Sequence, residues 1–200
     1  VAKAVDNKLA QEAISKDDVQ GIGIGVPGPV DSQGVVHRCV NLGWGVVNVA
    51  EELGNLTGLK IKVGNDANVA ALGEMWQGGA KGSKDVIMVT LGTGVGGGII
   101  VDGKVVAGFN GAGGEIGHIT VNHDEIEACN CGQYGCLEQY TSATGIVRLA
   151  KRKLAKSSEE TSIREIPNLT AKDVFDAAKA GDTIAIGLVD EVCEILGSTL

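Results

Sequence analysis

The sequence is poor in aromatic residues and proline, and it has no excess of basic charge. Aromatic residues make up 3% of its 200 positions, and 17 Lys and Arg face 25 Asp and Glu. The net charge of −8 argues against a nucleic-acid-binding surface, which needs a basic face. No stretch is apolar for long enough to span a bilayer, and no basic-then-apolar leader is visible. We therefore expect a soluble, cytoplasmic protein that binds neither nucleic acid nor membrane.

Apolar residues and glycine are plentiful instead. The 44% hydrophobic content suffices for one large core or two modest ones, and 31 glycines are typical of an α/β enzyme with close backbone approaches. Strands are predicted at 19–26, 61–63 and 86–91, and an Asp102-Gly103 hairpin joins 98–101 to 104–106. Helices are predicted at 49–56, from 65 through 76, at 143–156, at 171–180 after the N-cap Thr170, and from 183 onward.

Both ends carry apolar stripes at helical spacing. The first begins at Val1 without an N-cap before it, and the second runs to Leu196 without a C-cap after it. We therefore expect an internal fragment of a longer protein. A pair of frayed terminal helices is the alternative.

Three of the five cysteines cluster near one histidine, in the order His118, Cys129, Cys131 and Cys136. Thiolate and imidazole are the ligands that Zn²⁺ prefers, and four of them close a tetrahedral structural site without an open position for catalysis. The segment between Cys131 and Cys136 contains two glycines that permit a tight turn. The remaining thiols, Cys39 and Cys193, are predicted to be isolated and buried.

Two carboxylates flank this cluster. Glu115 stands shortly before His118, and Glu138 stands shortly after Cys136. Both glutamates are either surface charges or acceptors for sugar hydroxyls. If one nitrogen of His118 binds zinc, the other is available for a hydrogen bond.

The segment Leu91–Gly98 contains a G-x-G-x-x-G match at Gly92, Gly94 and Gly97. A dinucleotide-binding loop requires a helix after the glycines, whereas a second strand is predicted here. The loop can instead offer N–H groups to an anion, with the hydroxyl of Thr93 beside them. Close packing between layers is the alternative.

Asn65 and Asp66 stand where a strand ends and a helix begins. N-capping is one interpretation of these residues. The other is a carboxylate that accepts a proton from a substrate hydroxyl, kept ionised by the helix N-terminus, with the neighbouring amide holding another hydroxyl.

Taken together, residues 89–99, residues 111–118 and the cysteine cluster resemble the signature of the ROK family (repressors, open reading frames and sugar kinases). The segments Asn65-Asp66-Ala67-Asn68 and Asn41-Leu42-Gly43-Trp44 resemble most closely the bacterial glucokinases of that family. The resemblance implies the actin-like, hexokinase-like ATPase fold (ribonuclease H-like), with two α/β domains and the active site in the cleft between them. Residues 1–70 would belong to the smaller N-terminal domain and residues 71–200 to the larger one.

The resemblance also implies a function, the ATP-dependent phosphorylation of glucose at its 6-hydroxyl. Asp66 resembles the catalytic base. The sugar-binding groups would be Asn65, Asp66, Glu115, His118 and Glu138. The phosphate loop for ATP would comprise Gly92, Thr93, Gly94, Gly96 and Gly97. The implied cofactors are ATP, Mg²⁺ and a structural Zn²⁺ on His118, Cys129, Cys131 and Cys136, and the full-length protein would be a homo-oligomer, a dimer.

Two departures from the family pattern are visible. The spacing from His118 to Cys129 is one residue longer, and the first phosphate loop and the adenosine motif are both missing, so the chain alone is expected to be inactive. The alternatives are a kinase for another hexose or an N-acetylated amino sugar, a sugar-sensing repressor of the same family, and a zinc-stapled structural domain.

Overall fold

The computed structural model describes residues 1–37, 39 and 42–200; Asn41 of the glucokinase-like segment lies outside the described residues. Contacts between Cα atoms divide the chain into two compact units. The first unit contains Val1–Met88 and Gly98–Gly114, and the second contains Val89–Gly97 and Glu115–Leu200. The domain boundary predicted after residue 70 stays a prediction.

Residues 1–77 belong to the first unit, and their described part contains two small sheets and three α-helices. The elements of this part are α1 (Ala2–Gln11), β1 (Ile22–Val26), β2 (Val35–Val36), β3 (Val47–Asn48), α2 (Val49–Thr57), β4 (Ile61–Asn65) and α3 (Asp66–Gln77). Strands β1 and β4 are parallel, with Val26 opposite Asn65, and β2 pairs with β3 antiparallel. Because parallel strands end at the same edge, the carboxyl end of β4 lies beside the loop that follows β1. Buried Val26, Val30, Val36, Cys39 and Val49 form the core of this unit.

Asparagine starts two helices of this unit. The side chain of Asn48 accepts a hydrogen bond from the N–H of Glu51 at the start of α2. The side chain of Asn65 accepts one from the N–H of Asn68 at the start of α3. Each bond satisfies one of the backbone donors that a helix N-terminus leaves unpaired. The N-cap interpretation of Asn65 is therefore confirmed.

A three-stranded sheet contains β5 (Val86–Leu91), β6 (Val95–Val101) and β7 (Lys104–Val105), in that order. Strands β6 and β7 are antiparallel. Asp102 and Gly103 between them have φ angles of 51° and 74°, as a type I′ hairpin requires, so this turn prediction is confirmed. Strand β6 begins at Val95, earlier than predicted.

The second unit is mainly helical. A single turn of 3₁₀ helix covers Ile116–His118, and four helices follow: α4 (Glu138–Thr141), α5 (Ala143–Lys156), α6 (Ala171–Lys179) and α7 (Thr183–Thr199). Their buried faces form one core, which includes Tyr140, Leu149, Val174 and Leu188. Thr170 caps α6 in a capping box with Asp173, as its predicted role as N-cap requires.

All five cysteines are free thiols. Cys39 is buried as predicted, but Cys193 is exposed on α7, so the prediction of a buried thiol there is wrong. Helix α7 has more apolar residues than its buried face contains. The apolar spacing alone therefore does not identify which of them face the core. No helix in the described part of the chain is long and apolar enough to cross a bilayer.

Candidate functional site

The four predicted metal ligands lie together in the second unit. One potential ligand atom from each of His118, Cys129, Cys131 and Cys136 lies within 4.8 Å of every other. The Nδ1 atom of His118 is 3.8 Å from the Sγ atom of Cys129, and the Sγ atoms of Cys131 and Cys136 are 3.7 Å apart. Four soft donors are thus gathered around one point from residues up to 18 positions apart (136 − 118).

Backbone turns bring the three sulfur atoms together. Ala128 pairs with Tyr134, and the N–H of Cys129 donates to the carbonyl of Gln133. Gly132 and Gly135 have φ angles of 92° and 70°, in the left-handed region that favours glycine. At Gly135 a Cβ atom would lie 1.8 Å from the carbonyl oxygen of Asn122. The sequence prediction that these glycines shape the turn is therefore confirmed.

The donor set fits a zinc ion. Ligands about 2.3 Å from the metal at tetrahedral angles are about 3.8 Å from each other, close to the observed separations of 3.7 and 3.8 Å. Burial raises the pKa of the Cys136 thiol to about 11 and raises the pKa of the Cys129 thiol as well. Because a metal binds thiolates, its binding must release the protons that these sulfurs hold at neutral pH.

Glu138, the first residue of α4, lies between the metal cluster and the glycine loop. Its Oε1 atom is 3.2 Å from the Sγ atom of Cys129, and its Oε2 atom accepts a hydrogen bond of 3.4 Å from the N–H of Val95. A Cβ atom on Gly94 would lie 2.6 Å from Oε2. The absence of a side chain at Gly94 therefore makes room for this carboxylate beside the loop.

Glu115 and His118 are placed by the short 3₁₀ turn that leads to the cluster. Both are half-buried, and the N–H of His118 donates to the carbonyl of Glu115. Because the Nδ1 atom of His118 faces Cys129, the Nε2 atom is the one available for a further hydrogen bond. The second unit thus brings Glu115, His118 and Glu138 into its metal-binding region.

The glycine loop is shorter than predicted. Gly92, Thr93 and Gly94 lie between the strands, whereas Gly96 and Gly97 lie inside β6. The carbonyl of Gly92 accepts from the N–H of Ala143, and the carbonyl of Thr93 accepts a 2.8 Å bond from the Oγ1 atom of Thr144. These two bonds attach the loop to the start of α5.

Close packing explains the next glycine of the same run, Gly98. A Cβ atom there would lie 2.6 Å from the Cβ atom of Ala71 and 2.7 Å from the carbonyl oxygen of Ala67, both on α3. The packing alternative therefore holds at this glycine.

Asn65 and Asp66 lie at the junction of β4 and α3, in the first unit. Asn65 is buried, and its Nδ2 atom donates to the carbonyl of Gly28 at 3.2 Å, which leaves its second amide hydrogen for another partner. Asp66 is exposed, and its Oδ1 atom accepts from the N–H of Ala67 at 2.9 Å. Because Asp66 is exposed, its carboxylate is accessible to a substrate hydroxyl.

Sequence reasoning missed a group of charged residues that joins the loop before Cys129 to α5. Buried Glu125 binds Arg148 and Arg152 of α5, and both arginines also bind Glu127. The guanidinium of Arg152 is the main cause that holds the pKa of the Glu125 carboxyl well below its usual range. The one signal in the sequence was the i,i+4 spacing of Arg148 and Arg152, which places both on one face of α5. That spacing does not identify Glu125 as their partner.

Known proteins resemble this chain along its whole length. A glucokinase of Halalkalibacterium halodurans is 45% identical over 201 residues, which cover 98% of this chain and 61% of that protein. A ROK family glucokinase from Streptomyces griseus, solved with glucose and AMPPNP, is 34% identical with a TM-score of 0.80, over 99% of this chain and 65% of that one. A ROK family transcriptional regulator, a homologue of the E. coli MLC protein, is 27% identical with a TM-score of 0.87, over 99% of this chain and 50% of that one.

These comparisons identify the fold and the family, and they show how much of each relative's length this chain covers. The chain spans 61% of the length of the Halalkalibacterium halodurans glucokinase. The likeness confirms the predicted actin-like, hexokinase-like ATPase fold. Since residues 1–200 all match the family, the chain belongs to the ROK family.

Proposed function

We propose that this chain is part of an ATP-dependent glucokinase that phosphorylates the 6-hydroxyl of glucose. The observation that carries the proposal is the position of Glu138. This candidate sugar-binding carboxylate contacts Val95, at the end of the candidate phosphate loop. A sugar hydroxyl and a phosphate can therefore be held next to each other, as phosphoryl transfer requires.

In the proposed reaction, Asp66 accepts the proton of the 6-hydroxyl as its oxygen attacks the γ-phosphorus of ATP. The bond from that phosphorus to the bridging oxygen breaks, and ADP leaves. Asn65, Glu115, His118 and Glu138 bind the other hydroxyls of the sugar, and the loop of Gly92, Thr93 and Gly94 with Gly96 and Gly97 binds phosphate. Mg²⁺, when bound with ATP, offsets the charge that develops on the phosphates.

We propose a structural role for zinc on His118, Cys129, Cys131 and Cys136. Four protein ligands leave no open position for a substrate, so the ion would fix the residues around it and would not take part in phosphoryl transfer. Its second role would be to orient His118, whose Nε2 atom then faces a sugar hydroxyl.

We also propose that the full-length protein is cytoplasmic and a homodimer. Sedimentation of the purified protein tests the dimer.

The proposal is tested with the full-length protein, Mg²⁺, ATP and a panel of sugars, by coupling ADP release to a spectrophotometric assay. We expect kcat/KM for glucose to exceed that for fructose, N-acetylglucosamine and N-acetylmannosamine. A higher value for another sugar would replace glucose as the substrate. No ADP release with any sugar would refute the kinase.

A sugar-sensing repressor is the second candidate, because a ROK family transcriptional regulator has a TM-score of 0.87 to this chain. A repressor of this kind needs a DNA-binding domain in addition to residues 1–200. The length of the intact protein separates the two candidates. A basic domain ahead of this chain, together with sugar-dependent DNA binding and no ADP release, would favour the repressor.

A further inference from the structure

Glu125 is a buried carboxylate in the loop that leads to the first cysteine ligand. It stands four residues before Cys129, and its side chain is only 2% exposed. A buried carboxylate is costly unless charged and hydrogen-bonded partners surround it. The partners of Glu125 therefore show what its burial accomplishes.

The carboxylate of Glu125 is surrounded by donors. Arg152 donates through Nη1 to Oε2 and through Nη2 to Oε1, both at 2.9 Å, and the Nη2 atom of Arg148 forms an ion pair at 2.5 Å. The hydroxyl of Tyr140 donates to Oε2 at 2.6 Å. The Oε1 atom also accepts from the N–H groups of Ile126 and Glu127. Such a charge-assisted, two-point pair with arginine fixes direction as well as distance.

These side-chain partners follow the three cysteine ligands in the sequence, whereas Glu125 precedes them. Tyr140 belongs to α4, two residues after Glu138, whereas Arg148 and Arg152 belong to α5. The hydroxyl of Tyr140 also accepts from the Nδ2 atom of Asn122 at 2.9 Å. The segment from residue 122 to residue 140 carries three cysteine ligands and Glu138. The hydrogen bond between Asn122 and Tyr140 thus joins its two ends.

Gln139 adds a second connection across the same segment. Its Oε1 atom accepts from the N–H of Cys136 at 3.1 Å, and its Nε2 atom donates to the carbonyl of Glu127 at 3.0 Å. Arg148 in turn donates to the carbonyl of Gln139 at 3.1 Å. The backbone of a cysteine ligand is therefore linked, through one glutamine, to the arginine that pairs with Glu125.

We propose that Glu125 is a positioning residue that holds the segment 122–140 in the arrangement needed to bind both the metal and the sugar. It touches neither ligand. It acts through Tyr140, Arg148 and Arg152, and thereby places the cysteine ligands and Glu138. The sugar half of this inference rests on the proposed function, whereas the metal half stands on the ligand cluster alone.

The test compares Glu125→Gln with the wild type and with Glu191→Gln in the full-length protein. The glutamine keeps the size of the side chain and removes its charge, and Glu191 is an exposed carboxylate on α7 that serves as matched control. Zinc affinity is measured by competition with a chromophoric chelator. We expect Glu125→Gln to lower it about tenfold, as loss of an outer-shell partner does, and the control to leave it unchanged.

Kinetics of the zinc-loaded variants separate positioning from a general loss of fold. We expect the KM for glucose to rise about tenfold in Glu125→Gln while kcat stays within about twofold, because the substrate and the transition state lose the same contact. Wild-type zinc affinity and wild-type KM would overturn the inference. A fall in kcat with an unchanged KM would also overturn it.

A milder variant covers the case in which Glu125→Gln does not fold. Tyr140→Phe removes the hydroxyl that bonds to Glu125 and keeps the ring, and we expect zinc affinity to fall about threefold. Unchanged affinity would overturn the inference. If the wild-type protein released no ADP with glucose, the proposed function would fail, but the zinc measurements would still decide the metal half.

Discussion

At the scale of single residues, the turn that gathers the cysteine sulfurs depends on Gly132 and Gly135. Both have positive φ angles, but their surroundings differ. A Cβ atom at Gly135 would meet the backbone of Asn122, whereas nothing lies within 4 Å of a Cβ atom at Gly132. The two positions therefore separate the cost of backbone conformation from the cost of a steric clash.

We predict that Gly135→Ala lowers the free energy of unfolding by about 2–5 kcal/mol, because a left-handed conformation costs about 1–2 kcal/mol and overpacking adds about 1–3 kcal/mol. Gly132→Ala should cost only the first of these, about 1–2 kcal/mol. Urea unfolding of the zinc-loaded protein measures both values. Equal effects of the two substitutions would contradict the steric argument.

Residue types and spacing were enough to predict that His118, Cys129, Cys131 and Cys136 lie together, and the geometry confirms this cluster. Their role as zinc ligands stays a prediction. The partners of Glu125 were not predictable in this way. Its bonds reach Tyr140 and Arg152, 15 and 27 residues away, and no local pattern encodes such a distance. The contact of Glu138 with Val95, 43 residues away, was hidden for the same reason.

At the scale of helices and strands, the sequence predicts best the elements that are long or that carry their own capping signals. The predicted bounds of β5 and α5 agree with the structure, and Asn65 and Thr170 cap α3 and α6. Strands β2 and β3 have two residues each and α4 has four, which is too short for any periodicity to show. These elements form only because tertiary packing supports them.

Asp182, the N-cap of α7, should make stability depend on pH. Burial would raise the pKa of its carboxyl, but hydrogen bonds from the N–H groups of Ala185 and Ser162 and from the hydroxyls of Ser162 and Thr161 lower it from 3.8 to about 2. Since the folded pKa is the lower one, the ionised form stabilises the fold. That contribution is complete above about pH 4 and is lost as the pH falls through about 2.

The matched variant Asp182→Asn keeps an acceptor oxygen for the cap but does not ionise. We predict that the wild type is the more stable protein at pH 7, and that the difference in the free energy of unfolding shrinks between about pH 4 and pH 2. Urea unfolding across that range measures it. A difference that stayed constant with pH would contradict the role assigned to the ionised carboxylate.

The segment that carries the cysteine ligands, residues 122–140, is a further element, and removing its zinc ion tests what the metal contributes. With free zinc about 1,000-fold above its Kd, removing the ion with a chelator should lower the free energy of unfolding by about 4 kcal/mol. Glucose affinity, measured by calorimetry, should fall with it, because Glu138 contacts Cys129 directly. Unchanged glucose affinity in the stripped protein would contradict the coupling between metal and sugar site.

At the scale of the whole molecule, family and fold were predictable because several motifs agree along the chain. The ROK match extends over residues 1–200, which includes the segments where no single motif was informative. The choice between a sugar kinase and a transcriptional regulator was not predictable from the fold, because both share this architecture. The distinction depends on whether Asp66 performs the chemistry assigned to it.

The most direct test is the rate of glucose phosphorylation by full-length Asp66→Asn compared with the wild type, at saturating ATP, Mg²⁺ and glucose. Asparagine has the same shape as aspartate and can still accept hydrogen bonds, but it is far too weak a base to take a proton from the hydroxyl. The account predicts that kcat falls about 10²–10⁴-fold while glucose binding, followed by calorimetry, stays within a few fold. A variant that kept near-wild-type kcat would contradict the assignment of Asp66 as the base.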